Sequence, residues 1–124
     1  MTQTIVIPNA GKESVASVLG GLNTNYPTHL AIGTGVHTAS ATDTALTTQS
    51  GSSIAGTVSV ITTTLVNDTL QVIGSFTAGS LTPVTELGLF DAATAGNMYL
   101  EATFDVVNLQ IGDTLQITTQ IQFS

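Results

Sequence analysis

The segment from Thr114 to Phe123 constrains the fold more than any other. Leu115, Ile117, Ile121 and Phe123 share one parity with Thr119, while Thr114, Gln116, Thr118, Gln120 and Gln122 take the other. Side chains on a strand point alternately to opposite faces, so period two over this length predicts a half-buried antiparallel strand. Its outer face of Thr and Gln is hydrated but uncharged. Edge strands ordinarily carry charge or proline to block unwanted pairing. This one has neither, so the sequence predicts that it is central in its sheet or meets a partner chain.

The charge balance narrows the classes of function. The 124 residues contain one basic side chain (Lys12), eight acids and a formal net charge of −7. One lysine cannot neutralise several phosphates, which excludes a basic nucleic-acid surface. The same deficit argues against a polybasic membrane surface. Without cysteine there is no disulfide framework, thiol chemistry or Cys-based zinc site. The apolar runs are too short for a transmembrane helix, and Met1–Pro8 has no basic n-region of a secretory signal. Only 7% of residues are charged, against about 25% in an ordinary soluble domain. Thr, Ser, Asn and Gln must therefore solvate the surface, or a partner must cover part of it. A homo-oligomer is expected on this ground.

The rest of the chain reads as one domain, 1–124, of all-β class. The expected architecture is a compact antiparallel β-sandwich of about six to eight strands with one short N-terminal helix. The N-terminal arm and helix occupy 1–21. An extended start closes at Pro8, and Val15, Val18 and Leu19 form the apolar stripe of a helix over Lys12–Leu19. Asn9 or Ala10 starts it, with Glu13 in the first turn if Ala10 is the cap. Gly20-Gly21 stops it. Thr28–Gly35 is a strand running into a glycine turn. Residues 36–53, mostly Ala, Thr, Ser and Gly, form a long loop, read as an arm that packs on another subunit. Ile54–Val66 and Leu70–Ala78 make a hairpin through Asn67-Asp68. Gly79–Pro83 is a turn, Leu87–Phe90 a short strand and 91–97 a tight connection. Met98, Leu100, Ala102 and Phe104 then alternate with Tyr99, Glu101, Thr103 and Asp105.

No chemistry-bearing constellation stands out. Glu101 and Asp105 share a strand face, but four residues along a strand span about 13 Å, beyond the roughly 6.5–9.5 Å of an inverting glycosidase pair. Cross-strand carboxylate pairs cannot be read from the sequence. Glu13, Asp43, Asp68, Glu86, Asp91, Glu101, Asp105 and Asp113 are expected to be solvated surface or turn acids. The loop aspartates lack the ligand run of an EF-hand calcium site. His29 and His37, with nearby Asp43, offer metal ligands in principle, but solvated or locally bonded imidazoles are far commoner. No Gly-x-Ser-x-Gly elbow occurs. Gly33-Thr34-Gly35 lacks the third glycine, the following helix and the lysine of a phosphate loop, so its glycines are read as permitting a tight turn. Phe76, Phe90, Phe104 and Phe123 are expected in the core. The expectation is therefore a non-enzyme with no catalytic, cofactor-binding or metal-ligating residues and no cofactor.

The order of several motifs carries a resemblance. Ile7-x-Asn9-Ala10-Gly11-Lys12 is followed by His29-Leu30-Ala31-Ile32-Gly33-Thr34-Gly35. Then come Thr44-x-Leu46, Glu86-Leu87-Gly88-Leu89-Phe90-Asp91, Gly96 and a strand ending at Phe104. Across Ile7 to Phe123 this resembles small virion proteins of tailed bacteriophages of the tail-fibre, tail-collar or baseplate-associated type. Such sequences often follow Thr-x-Leu with Glu and Arg. Here Gln49 stands near the acid's place and arginine is absent, so any salt bridge made there in relatives is lost. The chain also has neither a long shaft nor a tip. The resemblance implies a non-enzymatic structural component of the virion, self-associating (a trimer by analogy) and docking to tail, collar or major capsid proteins. A capsid decoration protein and a carbohydrate-binding surface module are the alternatives. The absence of tryptophan argues against the module.

Overall fold

Alternating apolar and hydroxyl side chains build the strands, of which the described residues hold eight, with one helix. The structure, a computed structural model, describes residues 3–123. In chain order these elements are β1 (Gln3–Val6), α1 (Asn9–Leu19), β2 (His29–Gly33), β3 (Ile54–Ala55), β4 (Thr57–Ile61), β5 (Thr69–Thr77), β6 (Thr82–Phe90), β7 (Met98–Leu109) and β8 (Thr114–Gln122). They form a five-stranded sheet, β1-β7-β6-β2-β3, and a three-stranded sheet, β4-β5-β8. Every pairing is antiparallel. Leu30, Ile32, Leu87, Leu89, Leu100 and Ala102 of the larger sheet meet Val72, Phe76 and Ile117 of the smaller one in the core. The fold is an all-β antiparallel sandwich with a single short helix, as the sequence predicts.

The hairpin expected across Asn67-Asp68 is β4 and β5, paired from Thr57↔Ile73 to Ile61↔Thr69. Its first strand is shorter than predicted. The chain leaves the ladder after Ile61, and Leu65 and Val66 are exposed in the turn. Asn67 takes a left-handed φ of 56°, which Asn tolerates better than most residues. The Asp68 carboxylate accepts amides from Thr63 (2.9 Å), Thr64 (3.1 Å) and Leu65 (2.9 Å) and the Thr69 hydroxyl (2.8 Å). These donors do the work of the missing glycine. They also hold the Asp68 carboxyl well below the usual carboxylate range, the Leu65 amide most of all. At Gly56 the chain passes from β3 in one sheet to β4 in the other.

Four expectations are corrected. Of the two alternatives for β8, the central position is overturned: among the described residues β5 alone pairs with it, so it is an edge strand. Its inward threonine is accounted for: the Thr119 hydroxyl donates to the Val72 carbonyl at 3.1 Å. The helix begins at Asn9, one of the two starts the sequence allows, behind Pro8 and with no acid in its first turn. Proline at that point costs no intrahelical bond. The helix docks through Gly11 and Ser14 rather than through a full Val15, Val18 and Leu19 stripe. Val15 reaches the core, but Leu19 is 83% exposed. A β-bulge at Leu89/Phe90 pairs Phe90 with Met98, so Met98 leaves the face of Leu100 and Ala102. It joins Ala31, Leu46 and Phe90 in a second, smaller core on the other side of the sheet. Phe123 is 57% exposed rather than buried. The first two residues of the 1–21 arm lie outside the described residues.

Candidate functional site

The second core lies beneath the 36–53 segment, which closes over the outer face of the five-stranded sheet. Ala39 and Leu46 are buried there. The Asn9 amide donates to the Ala41 carbonyl at 2.8 Å, the Ala39 amide to the Thr103 hydroxyl at 3.3 Å, and Gly33 bridges to Gln49. The segment read as an arm toward a neighbour is thus engaged with its own sheet along much of its length.

Glu86 explains this closure. It lies on the outer face of β6 with no solvent exposure. Its carboxylate accepts amides from Gly35 (2.8 Å), Thr47 (2.9 Å) and Thr48 (2.8 Å). A buried carboxylate needs such donors, because unpaired burial of charge is costly. The glycines of Gly33-Thr34-Gly35 serve it by their smallness. A Cβ on Gly33 would lie 2.5 Å from Glu86 Oε2, and one on Gly35 would lie 2.6 Å from it. Neither glycine has a positive φ. A Cβ on Gly33 would also meet the Thr48 carbonyl at 2.5 Å, so the two glycines make room for the Glu86 side chain and for the 47–48 segment, in place of the tight turn expected from the sequence. Two motifs far apart in the chain, His29–Gly35 and Glu86–Asp91, thereby meet in space.

A second buried carboxylate stands beside the first. Gly88 of β6 pairs with Glu101 of β7, and Glu86 with Thr103. Glu86 and Glu101 are therefore diagonal neighbours on the same face. Glu101 also has no exposure, yet its Oε1 has no hydrogen-bond partner. Burial first, then the neighbouring Asp43 carboxylate, pushes the Glu101 carboxyl up to about 7. Both glutamates depart from the expectation of solvated surface acids. The cause is the closed loop, which removes water from a face that alternation alone would leave wet.

His37 sits between the two carboxylates. Its Nε2 lies 3.4 Å from Glu101 Oε2 and 3.6 Å from Asp43 Oδ2. Its Nδ1 lies 3.0 Å from the Thr47 hydroxyl and 3.6 Å from Glu86 Oε1. Asp43 is held in turn by the Ser40 amide at 3.0 Å. Its carboxyl is lowered chiefly by hydrogen bonding to Glu101, against the opposing effect of burial, with Ser40 and His37 contributing. Single ligand atoms of His37, Asp43 and Glu101 all lie within 4.8 Å of one another. His29, the other candidate, is elsewhere, its Nδ1 2.8 Å from the Thr28 hydroxyl. The structure thus joins His37 to Asp43, adds Glu101 and Glu86, and leaves His29 out. Alternation put Glu101 on the polar face of its strand; the loop that buries it has no periodicity to read.

Comparisons with family models, curated proteins and solved structures find no match to this chain. The functional reading rests on its own residues.

The other hollows are shallow. A groove of about 390 Å³ between β2, β5 and the 50–54 segment is lined by small polar residues with Ile32, Ile54 and Phe76. An apolar one of about 170 Å³ lies under Val18, Leu19, Tyr26 and Phe123. No helix among the described residues is long and apolar enough to cross a membrane.

Proposed function

We propose that this chain is a non-enzymatic structural subunit of a tailed-bacteriophage virion. It serves as a tail, fibre or collar component that self-associates, with a trimer preferred, and docks on other virion proteins. The observation that carries the reading is the smaller sheet. Its outward side presents Thr57, Ser59 and Ile61 of β4, then Gln71, Ile73, Ser75 and Thr77 of β5, then the Thr and Gln row of β8. That face holds no charged side chain, and β8 ends it with an edge that neither proline nor charge guards. An extended segment of a neighbour can add to such an edge through main-chain hydrogen bonds. Exposed Leu19, Leu22, Tyr26 and Phe123 offer further apolar area at the helix end of the sandwich. These features support burial against specific neighbours.

Two measurements test the reading. The mass of the full chain in solution should correspond to a closed oligomer; a monomer at high concentration counts against self-association. Electron microscopy of particles carrying labelled protein should place the label on the tail or collar. Label on the capsid faces would convert the assignment to a head decoration protein, and label on no particle would end the virion reading.

A further inference from the structure

The closed loop gathers His37, Asp43 and Glu101 and leaves one buried carboxylate oxygen among them, Glu101 Oε1, without a hydrogen bond. Glu86 has three amide donors, whereas Glu101 is equally buried and keeps an orphaned Oε1. Such an atom is costly unless something positive sits against it. The chain's only basic side chain, Lys12, is exposed on α1, and among the described residues no lysine or arginine pairs with these carboxylates.

We propose that His37, Asp43 and Glu101 form a site for one divalent first-row transition ion, with Zn²⁺ as its representative, that clips the 36–53 loop to β7. The spacing fits. Two ligands each about 2.1 Å from a tetrahedral ion lie roughly 3.4 Å apart, and His37 Nε2 stands 3.4 Å from Oε2 of Glu101, the oxygen beside the orphaned one, and 3.6 Å from Asp43 Oδ2. The imidazole is oriented for the task. Its Nδ1 is engaged by the Thr47 hydroxyl, backed by Glu86, which directs Nε2 to the ion as outer partners of metal-bound histidines do. The donor set selects the class of ion. Calcium takes six to eight oxygens and magnesium a near-octahedral oxygen shell, whereas one imidazole with two carboxylates suits zinc, manganese or iron(II). The His37 and Asp43 side chains are 20% and 27% exposed, which leaves a path for the ion from solvent. The inference stands apart from the virion reading, since it needs neither a partner nor a particle.

The experiment uses the full chain stripped with chelator and titrated with Zn²⁺ by calorimetry and thermal unfolding. One ion per chain is expected, with a melting rise of about 10 °C at a hundredfold excess over Kd. His37→Gln and Asp43→Asn, both on the loop, should each weaken binding by at least about tenfold. His29→Gln should leave it unchanged. In the unmodified chain, NMR of the imidazole nitrogens should show Zn²⁺ shifting Nε2 of His37. The absence of binding at millimolar Zn²⁺ overturns the proposal. So does binding that survives both loop variants, or a His37 resonance unmoved by the ion. A cluster satisfied by a shared proton alone would give that negative result.

Discussion

Glu86 and Glu101 are chemically identical, lie on neighbouring strands and are equally buried, yet they are held differently. Glu86 is a hub for three loop amides; Glu101 faces a histidine and an aspartate. The hub makes a direct prediction. Glu86→Gln puts an NH₂ where an oxygen accepts main-chain amides, leaving at least one buried donor unmatched. The expected loss is about 1–3 kcal/mol in urea unfolding, and hydrogen exchange at Thr47 and Thr48 should quicken. Asp68 makes another. Its carboxyl is lowered in the folded chain, so its stabilisation is complete above the ordinary value of 3.8 and drains away as pH falls below it. Melting of the wild-type chain should therefore decline on acidification below about pH 4. Asp68→Asn should melt several degrees lower at neutral pH, with a flatter acid limb. Asp68 was legible from the sequence as a turn residue. Glu86 and Glu101 were not, because their burial depends on a loop that no local pattern announces.

At the scale of elements, what the sequence revealed follows periodicity. β8, the β4–β5 hairpin and the two-turn-plus helix were readable because their side chains repeat at 2 or 3.6 residues. Three things were hidden. Sheet order places β8 at an edge, and order is a property of long-range pairing. The bulge at Tyr99 shifts Met98 to the other face and breaks the alternation where it reads cleanest. The helix's contact with the sheet is made by the absence of a side chain, which apolar counting overlooks. A Cβ at Gly11 would meet the Met98 carbonyl and the Tyr99 Cα at 2.9 Å each. Replacing a helical glycine with alanine ordinarily stabilises by roughly 1 kcal/mol. Here Gly11→Ala should instead destabilise, by about 1–3 kcal/mol, because main chain must move to admit the methyl group. Denaturant midpoints decide the sign.

For the whole molecule, the contrast between the two sheets matters most. The five-stranded sheet buries both faces over much of its area, one against the sandwich core and one beneath the loop. The three-stranded sheet buries one face and offers the other with its open edge. If that edge makes the interface, adding charge should break it without harming the fold. Gln116→Lys with Thr118→Lys is expected to weaken self-association by at least about tenfold, since like charges meeting across an interface are strongly unfavourable. Stability of the isolated chain should stay within about 0.5 kcal/mol, as for ordinary surface substitutions. Sedimentation reads the first quantity and urea unfolding the second.

Lys12 has one more consequence, for proteolysis. Trypsin cuts after lysine and arginine, so this chain offers it a single peptide bond, between Lys12 and Glu13, inside α1. A helical bond must open locally before a protease can cleave it. Tryptic nicking therefore reports opening of α1, whether local or as part of global unfolding, while complete digestion of even a denatured chain leaves only two pieces.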